Sequence, residues 1–212
     1  MVKTIGGGNM SKYTQSPVQV HKLKDGNLLH IYHDETPFNP REDSDFYVGK
    51  MVCFHKRYSL PNEINDVRLK DPDNFGGWDD VFKYIKRVYK PKAILPIYMY
   101  DHGGITLQTT PFACPWDSGS VGFIFTDNNA IDKAFGKKRA TKAVLEACLR
   151  AEVDEYDMFV RGEVYGYGVV REKVCSACGH TEIENADPYD SCWGFYGIQS
   201  ILDEFKSRLA DA

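Results

Sequence analysis

Residues 93–126 read A-I-L-P-I-Y-M-Y-D-H-G-G-I-T-L-Q-T-T-P-F-A-C-P-W-D-S-G-S-V-G-F-I-F-T, and this stretch decides the fold class. Residues 93–100 are a largely apolar run of strand length, 105–109 a second short one and 121–125 a third, joined by turns that contain Gly and Pro. Such runs bounded by turn residues define a sheet. Working outward, Val81, Phe82, Ile85 and Val88 share one stripe of a helix expected over 79–89. On the other side Asp127 has the chemistry of an N-cap, and a long helix is expected over 139–160, ended by Gly162. On it Leu145, Cys148, Leu149, Tyr156 and Phe159 recur at three- and four-residue spacing, and Glu152 falls in the same stripe. A carboxylate on a buried face needs a partner.

Further upstream, residues 18–23 and 28–33 flank Asp25-Gly26, a turn signal that predicts a β-hairpin. Pro37 and Pro40 forbid a regular ladder over 34–49, which reads as a loop before a strand within 51–58. Downstream, 164–174 alternates, meets Cys175-Ser176-Ala177-Cys178-Gly179-His180 and returns over 181–184, and Ile201, Leu202 and Phe205 mark a closing amphipathic helix. The expectation is an α+β fold with a mixed or antiparallel central sheet, three to four helices and a protruding β-hairpin over 163–192. Residues 1–15 read as a flexible leader and 16–212 as one domain.

Composition narrows the function classes. Hydrophobic residues at 42% with abundant aromatics predict a packed core, and a formal charge of −4 gives no global reason to bind nucleic-acid phosphates or an anionic membrane. The basic clusters at 83–92 and 137–142 read as solvated helix faces. No run of eighteen apolar residues and no signal-peptide pattern occurs, so a cytoplasmic protein is expected. Six scattered cysteines lack the density of a disulfide scaffold and are expected to be reduced.

The residues that can carry chemistry sit where strands end. Asp101-His102-Gly103-Gly104 leaves the sheet interior, and histidine serves as a general base near neutral pH when a carboxylate fixes its tautomer. Adjacent residues of an extended chain point to opposite sides, so Asp117 or Glu152, and not Asp101, is the expected partner of His102. Cys114 and Ser118 are the candidate nucleophiles of an ester, amide or phosphodiester hydrolase. The glycine two before the serine of a lipase-type elbow is absent, since Trp116 stands there, and Cys114 precedes Pro115 instead of a helix start. Arg41, His55 and Arg57 are the types that grip an anion, while Asp101, Trp116 and Trp193 complete a candidate ligand-binding set. Cys175 and Cys178 have the spacing of a zinc knuckle, with His180 or Cys192 as further ligands. A zinc-stabilised interaction module, an empty reduced pair and a redox dithiol are the three readings of that spacing, the last disfavoured because no thioredoxin-like βαβ pattern surrounds it.

The series Asn39-Pro40-Arg41-Glu42, Cys53-Phe54-His55-Lys56-Arg57-Tyr58, Tyr100-Asp101-His102, Trp116-Asp117-Ser118-Gly119, Gly162-Glu163-Val164-Tyr165-Gly166-Tyr167 and Asp190-Ser191-Cys192-Trp193-Gly194-Phe195-Tyr196-Gly197 resembles a family of bacteriophage and prophage proteins. The resemblance spans about residues 35–205 and implies a setting with no transferable catalytic residue. In that setting the expectation is an accessory protein in the host cytoplasm, countering host defence by binding a host defence protein or a nucleotide ligand.

Overall fold

The computed structural model describes residues 16–42, 47–136, 140–179, 181–186 and 190–210. The expected leader, residues 1–15, lies outside them. The fold is α+β, and all strand pairs are antiparallel. The chain gathers into two compact units, one from Asn39–Arg161 and the other from the residues up to Phe38 with those from Gly162 onward. The sequence, read as one domain, does not announce that subdivision.

The Asn39–Arg161 unit is built on the stretch quoted above. Strands β3 (Gly49–Cys53), β4 (Ile94–Asp101), β5 (Ile105–Gln108) and β6 (Ser118–Thr126) form a sheet in the order β3-β6-β4-β5. Its strands are nearly continuous in apolar residues because both faces are covered. On one face Met51, Ile97, Met99, Leu107 and Ile124 meet Leu145, Leu149, Val153 and Tyr156 of α3 (Lys142–Val160). On the other, Val52, Phe123 and Phe125 meet Leu69 and the Val81 and Ile85 stripe of α1 (Trp78–Val88). Burial of each such aliphatic side chain stabilises by about 1.5–3 kcal/mol.

Helix boundaries follow from caps. Asp127 accepts the Asn129 and Ala130 amides at the start of α2 (Asn128–Phe135), and the Thr141 hydroxyl accepts the Val144 amide at the start of α3. Pairing of β4 with β6 skips from Ile97↔Gly122 to Tyr98↔Ser120, which leaves Val121 as the extra residue of a β-bulge. The bulge turns Val121 onto the α3 side and re-aims the end of β6 that carries Ser118.

In the second unit β1 (Gln19–Lys22) and β2 (Leu28–His33) form the expected hairpin, and β2 pairs with the long strand β7 (Val164–Val174). On its other edge β7 pairs with β9 (Ser191–Tyr196) along its first half and with β8 (Thr181–Asn185) along its second. Helix α4 (Ile198–Phe205) packs Ile201 and Phe205 into a core with Leu29, Ile31, Tyr167 and Val169. Strand β9 has no counterpart in the sequence reading. It seats Trp193 against Gly166, where a Cβ would lie 2.2 Å from the indole, and a register shift between Tyr165 and Gly166 accompanies this close approach.

Candidate functional site

The end of the β4–β6 pair assembles most of the expected residues. The last rung is Tyr100↔Ser118, after which the Asp101 amide donates to the Asp117 carbonyl at 2.9 Å and the His102 amide to the Gly104 carbonyl at 3.1 Å. Those bonds set two turns side by side, with His102 Nδ1 3.5 Å from Asp117 Oδ2. The imidazole stacks on the Tyr100 ring at a centroid separation of 5.9 Å, and Tyr100 lies against Phe112 at 5.6 Å. Asp101 points elsewhere, accepting from Tyr58 Oη at 3.0 Å and pairing with Arg57.

The nucleophile candidates are arranged differently from a triad. The Cys114 thiol lies 3.8 Å from the same Asp117 Oδ2 that faces His102, so thiol and imidazole share one carboxylate oxygen. The Ser118 hydroxyl donates to the Cys114 carbonyl and closes the turn. An imidazole base must reach the proton that it removes, and here the two hydroxyl and thiol groups are hydrogen-bonded to other acceptors. What the geometry leaves is an exposed His102–Asp117 pair, with side chains 71% and 42% accessible, beside Trp116, which is 91% accessible.

Glu152 finds its partner away from His102. Arg41 donates from Nη1 to Glu152 Oε2 at 3.2 Å, while its Nε and Nη2 form a fork on Glu63 at 2.6 and 2.7 Å and Nη2 also reaches the Gly49 carbonyl at 2.9 Å. Glu152 further accepts the amides of Val48 and Gly49, and Glu63 accepts that of Met51. The three side chains thereby fasten the 39–42 loop, the start of β3 and helix α3 together. Burial pushes the Glu152 carboxyl up, against the pull of Arg41. Burial also opposes the Arg41 charge, but Glu63 and then Glu152 outweigh it and hold the guanidinium above its ordinary value. A cleft of about 360 Å3 opens beside the cluster, lined by Asn39, Glu42, Leu60, Asn62 and Tyr156 among others. Arg41 is only 6% accessible, so its charge is committed to carboxylates and not offered to an anion. Glu63 lies in a polar stretch without periodicity, and no sequence signal singled it out.

The remaining candidates are spread out. His55 accepts the backbone amides of Arg57 and Tyr58 through Nδ1 and stacks on Tyr58 at 5.1 Å, which makes it a turn-holding residue. Trp193 is half-buried over Gly166, 6.1 Å from the Tyr32 ring. Cys53 is buried in the sheet, its thiol pushed up to about 12 by that burial.

Cys175 and Cys178 are exposed at the turn between β7 and β8, where the Ala177 amide and then Cys178 draw the Cys175 thiol below its ordinary value. His180 lies outside the described residues. Cys192 stands opposite Tyr167, eight residues before Cys175 along the same strand, about 26 Å away at a strand's rise per residue. Among the described residues no three His, Cys, Asp or Glu side chains gather to hold a metal ion. None of the described helices is long and apolar enough to cross a membrane. Comparisons with protein-family models, with curated proteins and with solved structures return no match.

Proposed function

We propose that this protein is a phage-encoded accessory protein of the host cytoplasm that acts by binding, with a host defence protein as its target. The observation that carries the reading is Trp116, 91% accessible on a turn whose backbone is held on both sides by the Asp101–Asp117 and Ser118–Cys114 hydrogen bonds. A large aromatic side chain presented on a fixed turn has the properties of an interface anchor: much apolar area and little conformational entropy to lose. Asp117, which follows it in the chain, is paired with His102.

A protein target is favoured over a nucleotide because the expected phosphate grip is spent within the chain. Arg41 is held by Glu63 and Glu152, and Arg57 is paired with Asp101. The hydrolase reading is weakened by the placement of Cys114 and Ser118, and it now depends on His102 and Asp117 activating a water.

Tagged wild-type and Trp116→Ala proteins, expressed in a bacterial host and analysed by native mass spectrometry after purification, test the proposal. A stoichiometric host protein on the wild type that is lost from the variant, with unchanged circular dichroism, is the expected result. Equal retention by both proteins, or turnover of nucleotide or ester substrates that disappears in His102→Ala, overturns it.

A further inference from the structure

Strand β7 outlives the sheet that it belongs to. Strand β2 pairs with it only up to Val170 and β9 only with residues 164–168, so residues 171–174 are paired with β8 alone. The result is a two-stranded ribbon, with every residue from Arg171 to Gly179 exposed. At its end the Gly179 amide donates to the Cys175 carbonyl at 2.8 Å, and Gly179 takes φ +72°, a conformation that glycine adopts without strain. This turn aims the Ala177 and Cys178 amides at the Cys175 sulfur and sets the two thiols against each other on the exposed side, neither in a disulfide. Two thiolates on one such turn span one edge of a tetrahedron, the arrangement that zinc takes from a C-x-x-C pair.

A closed zinc site needs four ligands, and the described residues of the ribbon supply two. Among the described residues no third His, Cys, Asp or Glu stands with them, and Cys192 is about 26 Å down the strand. We propose that Cys175 and Cys178 form half of a zinc site that the same two cysteines of a second copy complete, so that one ion joins two ribbons tip to tip. Each thiol gives up its proton on ligation, four protons per ion, and the resulting tetrathiolate centre is coordinatively closed and structural. Because, among the described residues, no third strand pairs with the ribbon at this level, two tips can approach without displacing a sheet partner.

The test uses the full chain under a thiol-free reductant, titrated with zinc and followed by native mass spectrometry. Half an equivalent of zinc per chain, in a dimer that a chelator returns to monomer, is expected, and cobalt substitution should give the absorption of tetrahedral thiolate coordination. Cys175→Ser and Cys178→Ser should each abolish the metal and the dimer, whereas His180→Ala keeps both. Cys175 and Cys178 are exposed, so circular dichroism should be unchanged in their two variants. One zinc per monomer, metal loss in His180→Ala, absence of stoichiometric metal, or a dimer indifferent to chelation each overturns the proposal. Retention of the Trp116-dependent host protein by Cys175→Ser separates failure here from failure of the binding reading.

Discussion

Two arrangements of a nitrogen-bearing side chain with carboxylates in the Asn39–Arg161 unit use similar groups for opposite ends. Arg41 with Glu63 and Glu152 is closed off from water, every arm of the guanidinium committed and the carboxylates also holding backbone amides. His102 with Asp117 stands in solvent at 3.5 Å, the imidazole stacked on Tyr100 and the carboxylate reached also by the Cys114 thiol, with the exposed indole of the neighbouring residue, Trp116, in the same turn. Chemistry alone does not separate the two, since arginine, histidine, glutamate and aspartate are all residues of active sites. Burial and the count of satisfied hydrogen bonds do. The closed cluster defines where β3 begins, and the open pair is what the fold leaves for other molecules.

The largest effect expected from that contrast is on stability. Arg41→Met strands two buried carboxylates and should lower the unfolding free energy by about 3–5 kcal/mol, read as a fall in the urea midpoint. A loss below about 1 kcal/mol would mean that the cluster is not the anchor described. The next effect falls on the open side: Trp116→Ala should weaken the host-protein complex by about 2 kcal/mol or more. Its own unfolding midpoint should stay within about 0.5 kcal/mol of wild type, and a large drop would place Trp116 in the core instead.

A third measurement asks how a half-buried carboxylate behaves when it is well bonded. Burial raises Asp66, but the hydroxyls of Tyr89 and Tyr84 and the Arg68 amide outweigh it, and its carboxyl is held below the ordinary value. A group depressed in the folded state contributes stability that is present above its unfolded value, near pH 4, and is lost as the pH falls through the folded one. Asp66→Asn should therefore shrink the difference in urea midpoint between pH 7 and pH 3. An unchanged difference would assign the acid sensitivity to other groups. The smallest effect belongs to the open pair itself. Asp117→Asn should cost less than about 1 kcal/mol, as exposed ion pairs do, and a larger loss would show that the turn depends on it.

How much of this was legible in the sequence follows from the range of the forces involved. The β1–β2 hairpin, α1, the Asp127 cap, α3 and the runs that became β4 and β6 were readable because periodicity, caps and turn residues are local. Glu152 announced itself by lying on an apolar stripe, which demanded a partner without naming one. Its partner Arg41 comes from a loop 111 residues earlier, and Glu63, which shares that guanidinium, lies 22 residues beyond Arg41, a closure that no local pattern encodes. Strand β9 was hidden for a related reason: Gly194 interrupts its pattern, and its pairing depends on the notch at Gly166 in another strand.

The forked pairing of β7 also bears on how the second unit moves. Up to Val170 its amides lie in a sheet braced by β2, whereas beyond that point they rest on β8 alone, and a lone two-stranded ribbon is at best marginally stable in water. Exchange of amide hydrogens with solvent should accordingly be slow along the shared half of β7 and fast from Arg171 onward. The strand is continuous in the fold but divided in time, rigid where it belongs to the sheet and breathing where it carries the two thiols.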